Sequence, residues 1–105
     1  MRITRDDALR IALDTLSEEE KKKAVIYWDR RSFNKDTPYF IGFEPVHMPF
    51  DYRVVFIDLA PRANWGHPCQ YVFIDMNTGN SDLYKKRSPP MGGDLELLWA
   101  AKRSP

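Results

Sequence analysis

Apolar residues recur at three- and four-residue steps near the start of the chain. Ala8, Leu9, Ala12, Leu13 and Leu16 form one narrow stripe, and Asp6, Asp7, Arg10 and Asp14 occupy the opposite face. That spacing predicts an amphipathic helix laid on a core. Thr4 and Asp7 have the separation of a capping box, in which the hydroxyl meets the third helical amide and the acid reaches back to the cap. Ser17 can cap a further short turn, with Glu18 to Glu20 where the helix dipole favours negative charge and Lys21 to Lys23 where it favours positive charge.

From Ala24 the pattern changes to that of strands. Val25 to Trp28, Tyr39 to Phe43, Tyr52 to Asp58 and Gln70 to Asp75 are runs of β-branched and aromatic residues, and Ser81 to Lys85 is a weaker fifth run. Within them, Val54 and Phe56 alternate against Arg53, Val55 and Ile57, and Tyr71, Phe73 and Asp75 against Val72 and Ile74. Asn77-Thr78-Gly79 reads as a tight turn whose glycine takes positive φ. Pro89-Pro90-Met91-Gly92-Gly93 breaks the pattern, after which Asp94 can cap a last helix with Leu95, Leu98 and Trp99 on one side. The predicted fold is α+β: an N-terminal helix packed on a four- to five-stranded antiparallel meander, with a short C-terminal helix. We divide it as one domain over 1–105, with a core at 1–87, a Pro/Gly linker at 88–93 and the C-terminal helix at 94–105.

The chain has 105 residues, which suits one core. Its 16 basic and 15 acidic residues nearly cancel, so no global field draws it to nucleic acid. No stretch has the length and apolar character of a membrane span, and the N-terminus lacks an export signal, which leads us to expect a cytoplasmic protein or the mature form of an exported one. With one cysteine, Cys69, a disulfide framework within the chain is excluded.

The segment between the third and fourth predicted strands concentrates the candidate chemistry. His67 can accept the proton of the Cys69 thiol, which gives a cysteine-dependent hydrolase or thiol-redox reading; Pro68 lies between them, and neither the papain nor the caspase sequence context is present. We therefore assign no catalytic residue. His47, His67 and Cys69 do not provide the four paired ligands of a structural zinc, and no phosphate-cradling loop occurs, so no metal or cofactor is expected. Asp51, Asp58 and Asp75 end strands, where acids ordinarily form turns. Arg62, Asn64, Trp65 and His67 instead suggest a recognition loop, because aromatic and arginine side chains anchor protein interfaces. Trp99, with Leu95 and Leu98, is a second candidate patch. The expected function is a non-enzymatic protein-binding module, with a self-associating homodimer as the other non-enzymatic alternative.

Ile-Thr-Arg-Asp-Asp-Ala-Leu-Arg-Ile-Ala at 3–12, together with Val-Phe-Ile-Asp-Met-Asn-Thr-Gly at 72–79, resembles a PepSY-type module, which opens on a helix and closes an antiparallel sheet on an Asp-x-x-Thr-Gly hairpin. The same two segments are similar to small bacterial toxin-immunity domains. Ala-Asn-Trp-Gly-His-Pro-Cys-Gln-Tyr at 63–71 resembles part of the non-catalytic N-terminal regions of bacterial caspase-like peptidases. These resemblances imply a stoichiometric inhibitor or immunity-type protein acting on a toxin or a protease-like partner.

Overall fold

The computed structural model describes residues 2–61, 68–90 and 92–101. Helix α1 (Arg5–Asp14) starts where the capping box places it: the Thr4 hydroxyl accepts from the Asp7 amide, and the Asp7 carboxylate accepts from the Thr4 amide. Ser17 and Glu20 repeat this device ahead of the single turn α2 (Glu18–Lys21). The strands that follow are β1 (Val25–Asp29), β2 (Tyr39–Ile41), β3 (Glu44–Val46), β4 (Tyr52–Asp58), β5 (Cys69–Asp75), β6 (Ser81–Lys86) and β7 (Leu95–Ala100).

Five strands form one antiparallel sheet in the order β6-β5-β4-β1-β7, and β2 and β3 form a separate hairpin. Strands β4, β5 and β6 form part of the expected meander, but Tyr39–Ile41, expected in the same sheet, pairs instead with Glu44–Val46 in the separate hairpin. The β5–β6 turn is held by Asp75, whose side chain accepts from the Asn77 and Thr78 amides, and Gly79 sits at φ 80° as the turn requires.

The sheet has a core on each face because nearly every side chain of β4 and β5 is buried, whichever way it points. On one face Ala8, Ala12 and Leu16 pack over Ile26, Val55, Ile57, Val72 and Ile74. On the other, Tyr39, Ile41, Val46 and Met48 from the hairpin region cover Val54, Phe56, Tyr71 and Phe73. The result is three layers, with α1 and the β2–β3 hairpin on opposite sides of the sheet. The two faces divide as the alternation along the third and fourth predicted strands requires.

The C-terminal helix expected over 94–105 is not formed among the described residues. Leu95–Ala100 is the strand β7, antiparallel to β1 at the sheet margin. Its register explains the misleading pattern. Leu97 lies opposite Tyr27 and Trp99 opposite Ile26, so Leu98 is an extra residue in a bulge. The bulge puts Leu98 and Trp99 on the same face, both against the α1-side core.

Between β6 at one margin and β7 at the other, residues 87–90 and 92–93 belong to a crossover on the hairpin side of the sheet. Tyr71 donates its hydroxyl proton to the Ser88 carbonyl at 2.7 Å, and the Cys69 thiol lies 3.3 Å from that same oxygen. The crossover ends where Arg30 and Asp94 meet, through a 2.8 Å backbone bond and a side-chain ion pair at 2.6 Å.

Candidate functional site

The end of β1 carries a buried carboxylate. Asp29 is 0 % exposed, and its oxygens accept three hydrogen bonds from Arg31: the backbone amide at 2.9 Å, Nε at 2.9 Å and Nη2 at 2.6 Å. Burial alone would raise the Asp29 pKa, but the Arg31 hydrogen bonds and charge outweigh it and hold the carboxyl below its ordinary range. The Arg31 side chain is 52 % exposed, so its guanidinium is clamped on one edge and open on the other. Its carbon also lies 5.2 Å from the centre of the Phe33 ring.

Next to this pair is a cleft of about 210 Å³. One wall is Pro38, Tyr39 and Phe40 from the start of the hairpin, and Arg31 and Phe33 form its base. The facing wall comes from the crossover, at Pro90, Gly92 and Gly93. Both glycines have positive φ, 95° and 103°. At Gly93 a side chain would also collide, since a Cβ there would lie 3.1 Å from Asp29 Oδ2 and 3.3 Å from Arg31 Nη2. Glycine is therefore what lets the crossover backbone close over the ion pair.

Tyr39 is the other polar group of the cleft. It is 6 % exposed, its ring packs edge-on against Phe33, and its hydroxyl has no hydrogen-bond partner among the described residues. Burial, reinforced by the nearby Asp29 charge, pushes its pKa up to about 12, so the hydroxyl remains a proton donor. Behind the cleft, Arg53 stacks 3.8 Å over Trp28 and donates from Nη2 to the carbonyls of Asp29 and Arg30, while its buried Nε finds no acceptor.

A second surface is the tip of the β2–β3 hairpin. Gly42 has φ 63°, which permits a two-residue turn, and the next residue, Phe43, is 92 % exposed. Beside it, Glu44 is paired with Lys86 at 2.8 Å, which ties the hairpin to β6.

Of the sequence-predicted site residues, Arg62, Asn64, Trp65 and His67 lie outside the described residues. Trp99 is half-buried in β7 and packs against the α1-side core. Cys69 is buried; desolvation raises its pKa to about 11, so at neutral pH it is a protonated thiol and not a nucleophilic thiolate. The three strand-ending acids each receive a backbone amide: Asp51 from Lys35, Asp58 from Ala60, and Asp75 from Asn77 and Thr78. The basic residues are spread over separate partners, with Arg30 on Asp94, Arg31 on Asp29 and Lys86 on Glu44. Among the described residues, no group of three or more His, Cys, Asp or Glu side chains is arranged to hold a metal ion, and no helix is long and apolar enough to cross a membrane.

Sequence reasoning did not assemble Asp29, Arg31, Tyr39 and Gly93 into a site. The only sequence signal was the pair of adjacent glycines, and that signal fits a linker equally well. Comparison with protein families, curated proteins and solved structures finds no match for this chain.

Proposed function

We propose that this chain is a non-enzymatic protein-binding module of the stoichiometric inhibitor or immunity type, whose partner is a toxin or a protease-like protein. The observation that carries this reading is Phe43. A phenylalanine held in water at the tip of a hairpin forgoes about 2 kcal/mol of burial energy. That energy is recovered when the ring enters a partner's pocket, as aromatic anchors of interfaces do. The hairpin is a firm support for it, being fixed to the sheet by Tyr39, Ile41, Val46 and Met48 and tethered to β6 through Glu44 and Lys86.

The test is capture from a lysate of the source cells on immobilised domain, with Phe43→Ser alongside. The expected result is one protein retained near 1:1 and lost at least about tenfold by the variant, as removing an anchor worth about 2 kcal/mol requires, with an unchanged melting temperature. Equal retention by the two proteins, or no stoichiometric partner, refutes the reading.

A second reading, self-association, is favoured by β7. This marginal strand has Leu97 half exposed and a single charge, Glu96, whereas the opposite margin, β6, carries Lys85 and Lys86, residues that discourage edge pairing. Light scattering across a concentration series separates a dimer from a monomer.

A further inference from the structure

We propose that the cleft between the β2–β3 hairpin and the crossover is a binding site for a monocarboxylate carried on a compact apolar body. This goes beyond the Phe43 reading, since it concerns a different surface and a ligand small enough to enter the fold.

The polar side chains lining the cleft, Arg31 and Tyr39, are donors. Nε and Nη2 of Arg31 are committed to Asp29, which leaves Nη1 with two N–H groups and no acceptor among the described residues. The hydroxyl of Tyr39, also without a partner among the described residues, is the second donor. Asp29 has little to offer the ligand as an acceptor, because three of its roughly four acceptor positions are taken by Arg31 and Gly93 closes over it. A site whose side chains present two donors selects an anionic or strongly accepting group.

The charge balance favours a single negative charge. Arg30 and Arg31 face Asp94 and Asp29 one to one, and Arg53, which donates to the carbonyls of Asp29 and Arg30, adds one further cation, enough for a single negative charge but not for the double charge of a phosphate. Arg31 is also preorganised by the Asp29 clamp and by Phe33, so little side-chain freedom is lost when a ligand docks.

The remaining walls, Phe33, Phe40, Pro38 and Pro90, are apolar. The volume of about 210 Å³ lies below the roughly 300 to 1,000 Å³ of pockets for drug-sized ligands. It suits one ring or branched chain. Phe40 is 54 % exposed, which leaves part of an aromatic face for that ring to stack on. The same chemistry is presented by a free arylalkanoic acid and by the terminal carboxylate of a peptide ending in an apolar residue.

The experiment uses the whole chain labelled with ¹⁵N, following the Arg31 Nε–H and the Phe40, Gly92 and Gly93 amides by NMR. The probes are 3-phenylpropionate, its amide, and acetyl-Gly-Phe with a free or an amidated C-terminus. The expected result is saturable shifts at these positions with a dissociation constant on the order of 1 mM for the acids. The amides should bind about tenfold more weakly, as loss of a charged hydrogen bond requires, and Tyr39→Phe should weaken the acids by a similar factor. If both acids saturate, the site reads the carboxylate whatever carries it; if only one does, that one identifies the source. Acid and amide binding within twofold of one another overturns the proposal, as does the absence of saturable shifts at about 10 mM acid on the unmodified protein.

Discussion

Removing either partner of the Asp29–Arg31 pair should destabilise the fold, but by different amounts and over different pH ranges. In Asp29→Ala the Arg31 guanidinium is left without its carboxylate. Because that side chain is half exposed it can rehydrate, and the full cost of a broken buried pair, about 3 to 5 kcal/mol, does not apply. The remaining cost is chiefly the orphaned Arg31 amide, about 1 to 3 kcal/mol, with a small cavity added. We expect a loss of about 2 to 3 kcal/mol, or roughly 10 to 20 °C in melting temperature for a domain of this size.

Arg31→Ala should be worse at pH 7, about 3 to 5 kcal/mol, because it strands an ionised carboxylate that is fully buried in the parent. The pH dependence follows from the sign of the shift. In the parent, Asp29 titrates below its ordinary value of 3.8, so its contribution is present above about pH 4 and is lost as pH falls through the folded-state pKa. Without Arg31, burial dominates and the pKa rises above the unfolded value. The variant's deficit should then shrink as pH is lowered from 7 toward 5, because protonation relieves the buried charge. Urea denaturation followed by tryptophan fluorescence at pH 7, 6 and 5 reads all three proteins. The reasoning fails if Asp29→Ala lies within about 0.5 kcal/mol of the parent, or if Arg31→Ala is the milder change at pH 7.

Two further outcomes follow from the same geometry. Gly93→Ala should cost about 1 to 3 kcal/mol, because alanine must adopt a φ of 103° with its Cβ pressed on Asp29 and Arg31; calorimetry showing an unchanged or higher melting temperature would contradict this. Cys69 should resist a disulfide-exchange reagent in the folded state at pH 7 and react fully in denaturant, since the folded thiol is buried and its pKa is near 11; labelling within minutes under native conditions would show that it is accessible.

Much of the fold was legible in the sequence because local rules and tertiary packing agree there. The Thr4–Asp7 box fixes the start of α1, and the alternation in β4 and β5 separates the two cores correctly. The C-terminal element was misread because a β-bulge breaks the two-residue period. With Leu98 inserted, apolar residues at 95, 98 and 99 imitate helical spacing, and strand pairing with β1 decides the conformation. The candidate cleft was illegible for a different reason. Its parts lie at 29–40 and 90–93, and they come together only because the crossover spans the sheet and is tied down at Ser88 and Asp94. No periodicity in a single segment reports such a meeting. The double glycine at 92–93 was visible, but only the crowding around Asp29 shows that it is a close approach and not a tether.

The pairing of β7 with β1 has a consequence for biosynthesis. Until residues 95–100 emerge from the ribosome, β1 is itself a sheet margin, with a row of unpaired backbone groups beside Ile26 and Trp28. The nascent chain can lay down α1 and assemble β4, β5 and β6, but it cannot close its own edge. The stretch from Val25 to Asp29 therefore depends for cover on β7, made after every other strand of its sheet. During that interval, chaperone capture or mispairing between neighbouring chains would compete with folding, and the bottleneck would be closure of the sheet by β7, not formation of α1.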